Sequence, residues 1–191
     1  MKITIVTSNA NKAAEVAAFF GGSVEVKHIS LDIPEHRSEN VGEISRGKAG
    51  YAYNLIRTPL IVDDTGFSID ALKGFPGPYA AYVLQTIGNS GILKLMDKNT
   101  DRKAHFTTAI AFADEKGIQV FTGTIHGSIT FSPKGSAGFG YDSIFEVNGK
   151  TLAELPLEVK SSISHRAKAL VAFRDWYLRE RSCLEHIDTN G

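Results

Sequence analysis

Residues 2–29 read KITIVTSNANKAAEVAAFFGGSVEVKHI and combine two strands with one helix. The apolar, β-branched run 2–6 is typical of a buried strand. Residues 12–20 then show helical periodicity, and residues 24–29 suit a second strand. Alternation of strands and helices within one short stretch indicates an α/β fold.

The rest of the chain continues this alternation and adds a long hairpin. Helices are predicted over 41–56, about 79–87, about 90–97 and from Ser164 onward, and strands over 60–62, 104–113, 120–131 and 141–147. Prolines and glycines make 73–78 a loop. Alternation along 120–131 places Phe131 on the apolar face of its strand. The whole pattern predicts a mixed sheet with helices on its faces.

Composition limits the class of the molecule. The chain has 191 residues, 42% of them apolar, which suffices for one compact or bilobed unit. The formal net charge is zero, so the chain lacks the basic surface that general nucleic-acid binding needs. Because no signal peptide or bilayer-spanning run is visible and Cys183 stands alone, we expect a cytoplasmic protein without membrane contact or disulfide. One domain is expected over 1–181 and a disordered tail over 182–191.

The turn after the first strand, Thr7-Ser8-Asn9-Ala10-Asn11-Lys12, is a candidate phosphate site. Hydroxyls, amides, the backbone N–H groups of a helix N-terminus and a lysine together suit a phosphate group. Ser8 or Asn9 could instead serve only as the helix cap, because capping residues occur at most helix starts. Position alone leaves both interpretations open.

Asp63 and Asp64 are expected at the end of the buried strand 60–62. Two carboxylates there are costly unless they hold a cation or join a hydrogen-bond network. Because neighbouring strand residues point to opposite faces, only one of the two should reach a given site directly. Their oxygens suit Mg²⁺, which binds one or two carboxylates together with substrate phosphates. A solvated acidic turn is the alternative.

The segment Gly42-x-x-x-x-Gly47-Lys48 matches most of a Walker A loop, but we do not expect one. Ala49 stands where that loop needs a serine or threonine for Mg²⁺, and the segment is predicted to be helical. Lys48 can still reach a phosphate from the side of its helix, although a solvated lysine is the commoner arrangement.

Two later stretches could bind the rest of a ligand. Gly138-Phe139-Gly140-Tyr141-Asp142 combines glycines that permit close approach, aromatic rings that can stack on a base and a hydrogen-bond acceptor. Lys160 and Ser164-His165-Arg166 place cations near the start of the last helix, where the helix dipole disfavours them. A broken local rule of this kind is expected at functional sites. A glycine bend and a solvated helix start are the structural alternatives.

Five stretches, taken in order, resemble the inosine triphosphate pyrophosphatase family, whose members remove non-canonical purine nucleotides. They are TSNANK (7–12), PE (34–35), VDDTGFSIDALKGFPGPYAA (62–81), FGYDSIF (139–145) and KSSISHRAKAL (160–170). The match runs over residues 1 to about 180. One such hexapeptide would be weak evidence, whereas five in register are specific.

The resemblance implies a long mixed central sheet flanked by helices, two lobes around a nucleotide-binding cleft, and a homodimer. It implies Mg²⁺-dependent hydrolysis of ITP, dITP and XTP to the nucleoside monophosphate and pyrophosphate, which cleanses the nucleotide pool. Glu35 and Asp64 correspond to the metal ligands, and Asp64 also to the water-activating base. The residues that correspond to substrate contacts are Thr7, Ser8, Asn9, Ala10, Asn11, Lys12, Lys48, Thr65, Phe139, Gly140, Tyr141, Asp142, Lys160, His165 and Arg166.

The chain departs from the family pattern at a few positions. Thr65 stands where many members have serine, and Ser8 replaces a glycine of the loop. Ala81 and Tyr82 stand where some relatives carry a basic residue, so that contact is not carried over. Two other functions stay open at this stage. They are a pyrophosphatase for modified pyrimidine nucleotides and a non-enzymatic nucleotide sensor, which would not need the carboxylate pair.

Overall fold

Eight strands and six α-helices are present in the computed structural model, which describes residues 2–22, 24–34 and 37–187, with side chains up to residue 180. The strands are β1 (Lys2–Val6), β2 (Glu25–Ile29), β3 (Leu60–Ile69), β4 (Pro76–Gly77), β5 (Lys103–Asp114), β6 (Gly117–Ile129), β7 (Phe145–Val147) and β8 (Lys150–Thr151). The helices are α1 (Ala10–Phe20), α2 (Val41–Ile56), α3 (Ala80–Thr86), α4 (Gly88–Leu95), α5 (Leu157–Ile163) and α6 (His165–Ile187). Among the described residues, no helix is both long and apolar enough to cross a bilayer.

The strands form one mixed sheet, which confirms the predicted fold class. Its order is β2-β1-β3-β5-β6-β7-β8, and β4 pairs with β3 outside this path. The pairs of β1 with β2 and with β3 are parallel, whereas every other pair is antiparallel. The long hairpin of β5 and β6 is confirmed, with Asp114 opposite Gly117 at its turn.

Two lobes surround a cleft because the helices divide between the two halves of the sheet. Around β1, helices α1 and α6 cover one face through a core that includes Val16 and Phe173, and α2 covers the other face through Ala49. At the far end, α3 and α4 pack on a separate core around Phe67 and Phe106. The rings of these two phenylalanines stack with their centroids 4.4 Å apart.

Strand β3 runs to Ile69, so the prediction that it ends at Val62 is wrong, and so is the alternative of a solvated acidic turn at Asp63 and Asp64. Its pairing with β5 continues without a break from Leu60 opposite Ala113 to Ile69 opposite Ala104. The neighbouring strand β1, by contrast, pairs with β3 only as far as Val62. One edge of β3 is therefore left uncovered by β1 from Asp63 onward, and this edge forms the floor of the cleft.

Other local predictions need correction as well. The predicted loop 73–78 contains β4, which pairs with β3. The predicted strand 141–147 is a strand only from Phe145, because the amides of residues 144 and 145 both bond back to the carbonyl of Tyr141. Phe131 lies beyond the end of β6 and is 83% exposed, with the Arg102 guanidinium carbon 4.2 Å from its ring centroid.

The tail that we expected from residue 182 begins within a helix. The backbone of α6 stays helical to Ile187, since no glycine or proline interrupts this part of the sequence. Residues 188–191 lie outside the described residues. The division into one domain and a tail therefore stays a prediction, with the helix extending past its proposed boundary.

Candidate active site

The turn between β1 and α1 is shaped by its own side chains. The Asn9 side-chain carbonyl accepts hydrogen bonds from the backbone N–H groups of Asn11 and Lys12, at 2.9 and 3.3 Å. The Thr7 hydroxyl accepts one from the Asn9 N–H at 3.1 Å. Asn9 is thus the helix cap, and α1 begins at Ala10, two residues earlier than predicted. Capping leaves the rest of the turn available to a ligand, so the two interpretations of this segment are compatible.

Most of this turn lines a cavity of about 810 Å³ between the lobes. Asp64, Thr65 and Lys48 line it as well, whereas Asn11 does not. The residues of the turn that line this cavity are Thr7, Ser8, Asn9, Ala10 and Lys12, all of which the sequence predicts as substrate contacts.

Asp63 and Asp64 are neighbours on β3 with opposite surroundings. Asp63 points to the side of α1 and α6, where Arg166 Nε lies 2.7 Å from its Oδ2 and Lys12 Nζ lies 2.7 Å from its Oδ1. Burial alone would raise the pKa of Asp63, but the charges of Arg166 and Lys12 outweigh burial and hold that pKa well below its usual range. Asp63 is therefore a buried structural anion.

Asp64 points to the side of α2 and lines the larger cavity. Its Oδ1 accepts a hydrogen bond from Lys48 Nζ at 2.9 Å. Its Oδ2 is buried without a hydrogen-bond partner among the described residues. Burial raises the pKa of this carboxyl despite the nearby charges of Lys12 and Lys48. A carboxylate with an unsatisfied oxygen at a cavity wall is suited to bind a cation or a water molecule.

A second cavity of about 140 Å³ adjoins the first. The two share Asn9, Lys12, Thr65 and Ala81 in their walls, so they form one continuous cleft. The sequence-predicted residues of the second stretch that line the smaller cavity are Phe139, Gly140, Tyr141, Asp142, Lys160, His165 and Arg166.

His165 lies in the wall of the smaller cavity. Its ring stacks on Phe106, with centroids 4.7 Å apart, and its Nδ1 is buried without a partner among the described residues. Burial lowers the pKa of His165 well below its ordinary 6.5, and the charge of Arg166 lowers it further. The imidazole is neutral at physiological pH and can offer Nδ1 as a donor or an acceptor.

Lys160 and Arg166 are tied into a buried ion network. Lys160 Nζ lies 2.5 Å from Asp142 Oδ2 and 2.5 Å from Glu15 Oε1, and 4.7 Å from the centroid of the Phe139 ring. Arg166 donates to Asp63, Glu15 and Thr65. With Lys12, the network contains as many carboxylates as cations. Removal of one member would leave a buried charge without a partner, which is strongly destabilising.

The described residues contain no group of three or more His, Cys, Asp or Glu side chains placed to hold a metal ion. Glu35, the other predicted metal ligand, lies outside the described residues. The orphaned Oδ2 of Asp64 nevertheless fits a hard cation. Mg²⁺ commonly takes one or two carboxylates and completes its shell with water and substrate phosphates, so a single protein ligand with a free oxygen is compatible with it.

Sequence comparison identifies the family of this chain. Residues 3–176 match the sequence model of the Ham1 family. The chain belongs to the Ham1 family. Its relatives include a dITP/XTP pyrophosphatase of Methanopyrus kandleri, 45% identical over 93% of this chain and 96% of the relative. An inosine triphosphate pyrophosphatase of Trypanosoma cruzi is 42% identical over 91% of this chain and 90% of its own.

Solved Ham1 structures show the same fold. The HAM1 protein of Coxiella burnetii superposes with a TM-score of 0.81 at 28% identity, and covers 94% of this chain and 99% of its own. The Staphylococcus aureus Ham1 protein gives 0.80 at 30% identity, over 94% of this chain and 100% of its own.

Glu15 is the member of this Ham1 site that the sequence analysis missed. It is 3% exposed, pairs with both Lys160 and Arg166, and lies 151 residues before Arg166 in the chain. A signal was present, because Glu15 falls beside Val16 on the otherwise apolar buried face of α1. An acidic residue on such a face indicates a buried cationic partner.

Proposed function

We propose that this chain hydrolyses the non-canonical purine nucleoside triphosphates ITP, dITP and XTP to the nucleoside monophosphate and pyrophosphate. The observation that carries the proposal is the junction of the two cavities at Asn9, Lys12 and Thr65. One cavity has lysines and a helix N-terminus in its wall, which suit phosphates. The other has aromatic and donor side chains, which suit a base. A nucleoside triphosphate has both parts, and the junction is where its ribose would lie.

The phosphate end is bound by charge and by backbone. Lys12 and Lys48 come from two different helices and both line the larger cavity. The N-terminus of α1 adds its N–H groups and the positive end of its dipole. Because a triphosphate is common to all nucleotides, these contacts supply affinity without selecting a base.

The reacting water is assigned to Asp64. Hydrolysis between the α and β phosphates needs an in-line water, a group that takes its proton, and positively charged groups that stabilise the negative charge of the leaving pyrophosphate. The unpartnered Oδ2 of Asp64 can accept that proton, and burial, which raises the pKa of the carboxyl, makes the carboxylate a stronger base. Lys12 and Lys48 can stabilise the charge that develops on pyrophosphate. Asp63, held by Arg166, fixes the strand beneath.

The cofactor that suits this site is Mg²⁺. Asp64 would be one of its ligands, and Glu35 is the predicted second ligand. When bound, Mg²⁺ supplies charge stabilisation on the phosphate oxygens and lowers the pKa of a bound water.

Selection of the base is assigned to the smaller cavity. The ammonium group of Lys160 has three N–H groups, of which Asp142 and Glu15 accept two. The third can donate to the 6-oxo group of hypoxanthine or xanthine. Adenine carries an amino donor at that position and would leave the lysine unpaired, a mismatch that can reject a substrate by about 10⁴-fold or more.

We also propose, from the family resemblance, that the protein acts as a cytoplasmic homodimer. Its role there would be to remove deaminated purine nucleotides before they enter DNA or RNA. Size measurement in solution tests the dimer independently of activity.

A nucleotide panel tests the proposed function. We expect the kcat/KM for ITP, dITP and XTP to exceed that for ATP by about 10⁴-fold or more, and activity to disappear when EDTA replaces Mg²⁺. Modified pyrimidine triphosphates should be poor substrates. Preference for a pyrimidine would support the alternative pyrophosphatase, and binding of ITP without turnover would support a sensor.

A further inference from the structure

The walls of the larger cavity differ in charge. Its wall from the far lobe consists of Pro78, Tyr79, Ala81, Tyr82 and Gln85, none of which carries a formal charge at neutral pH. Positive charge for a polyphosphate must therefore come from the opposite lobe.

The two lysines of that opposite lobe are already compensated. Lys12 Nζ lies 2.7 Å from Asp63 Oδ1 and Lys48 Nζ lies 2.9 Å from Asp64 Oδ1. Each ammonium group is thus matched by one carboxylate before any substrate arrives. Among the described residues, these two pairs give the cavity wall no surplus of positive charge.

Arg37 is the further cation in this wall. It belongs to the segment between β2 and α2, lines the larger cavity and is exposed. Within the described part of the chain it forms no ion pair or hydrogen bond, and Asp32, the further carboxylate that lines this cavity, is not paired with it, so its guanidinium group is available to a ligand. It does not line the smaller cavity, in contrast to Lys12, which lines both. Arg37 therefore lies toward the end of the cleft away from the base pocket.

We infer that Arg37 binds the β- and γ-phosphates of the substrate, the part that leaves as pyrophosphate. This inference rests on the proposed function. A guanidinium group presents paired donors that match phosphate oxygens, so it suits a bidentate contact with the leaving group. Its position makes it a determinant of triphosphate and pyrophosphate binding, and not of base selection.

The experiment compares Arg37→Gln, Arg37→Lys and the control Arg57→Gln with wild type. Arg57 is an exposed arginine that lines neither cavity. Arg57→Gln therefore removes the same charge as Arg37→Gln, but at a place away from the cleft. Calorimetry measures the Kd of inorganic pyrophosphate and, separately, of IMP, both with Mg²⁺. Steady-state kinetics then give the KM for ITP.

We expect Arg37→Gln to raise the Kd of pyrophosphate and the KM for ITP by about three- to tenfold, the range for an exposed charged contact. The Kd of IMP should not change, Arg37→Lys should recover part of the loss, and Arg57→Gln should match wild type. Pyrophosphate binding equal to wild type in Arg37→Gln would overturn the inference, as would an equal loss of IMP binding. If wild type binds pyrophosphate with this dependence on Arg37 but does not hydrolyse ITP, the proposed function fails and the phosphate contact stands.

Discussion

The adjacent carboxylates of Asp63 and Asp64 have different surroundings because neighbouring residues of β3 point to opposite faces of the sheet. Asp63 is fully buried between Arg166 and Lys12, so its role is to balance charge within the fold. Among the described residues, Asp64 keeps an unpartnered oxygen at the wall of the cavity, so we expect it to take part in the reaction. Substitution of each by asparagine, which has the same shape and no charge, should separate the two roles.

Asp64→Asn should remain folded and lose most of its turnover. The amide oxygen can still accept the hydrogen bond from Lys48, but an amide is a poor base and a weak ligand for Mg²⁺. Loss of a general base commonly lowers kcat by about 10²–10⁴-fold. Steady-state ITP hydrolysis and a thermal unfolding scan measure the two properties.

Asp63→Asn is the matched comparison. It leaves Lys12 without the Asp63 carboxylate and Arg166 with Glu15 alone, and loss of one partner from a buried ion network typically costs about 3–5 kcal/mol in the free energy of unfolding. An Asp63→Asn variant with the same free energy of unfolding as wild type, or an Asp64→Asn variant with near-normal kcat, would contradict these assignments.

His165 makes the stability depend on pH. Its pKa in the folded protein lies well below 6.5, so the unfolded chain takes up the proton first as pH falls. The free energy of unfolding therefore decreases as pH falls below about 6.5, because protonation stabilises the unfolded chain and not the folded protein. We expect the free energy of unfolding of wild type to fall about 1.4 kcal/mol more than that of His165→Gln between pH 7.5 and 5.5. Identical pH dependence in denaturant titrations of the two proteins would mean that His165 is not held neutral.

At the scale of elements, the site depends on how closely α6 approaches β6. Gly123 of β6 faces the first turn of α6. A Cβ atom added at this glycine would come within 2.2 Å of the His165 carbonyl oxygen and 2.5 Å of the Ala169 nitrogen. Only glycine allows this contact. The position of His165 and Arg166 in the cavity wall follows from it, since both begin this helix.

Gly123→Ala should push the start of α6 away from the sheet. We expect a loss of about 1–3 kcal/mol in the free energy of unfolding, as for other overpacked positions, and a lower kcat/KM for ITP. Gly50→Ala is the control. Its Cβ would meet only the end of the flexible Ile118 side chain at 3.2 Å, within a helix that favours alanine. A change of less than about 1 kcal/mol is expected there, and equal effects of the two substitutions would contradict this view of the contact.

The elements also show what local sequence could predict. Strand β1 and helix α2 were predicted to their ends, because their patterns and stop signals are local. Strand β3 was predicted too short, since its second half is stabilised by pairing with β5, whose position the local pattern does not reveal. The same holds for the site. Its motif residues could be named from local sequence, whereas the ion pair of Glu15 with Arg166 could not, because it joins residues 151 positions apart.

At the scale of the whole molecule, the two lobes create one cleft with two chemically different ends. The lobe containing β1 supplies the charged wall with Lys12 and Lys48, and the far lobe supplies uncharged residues such as Tyr79. The base end is closed by Phe139 and His165. With its ribose at the junction, a substrate that spans the cleft would have its α-phosphate just inside the larger cavity, and we expect cleavage of the bond between the α and β phosphates.

Isotope labelling tests this central claim most directly. ITP is hydrolysed in H₂¹⁸O with Mg²⁺, and mass spectrometry locates the label in the products. Attack of water at the α-phosphorus predicts one ¹⁸O atom in IMP and none in pyrophosphate. Label in pyrophosphate, or release of inorganic phosphate with IDP as the other product, would contradict the account.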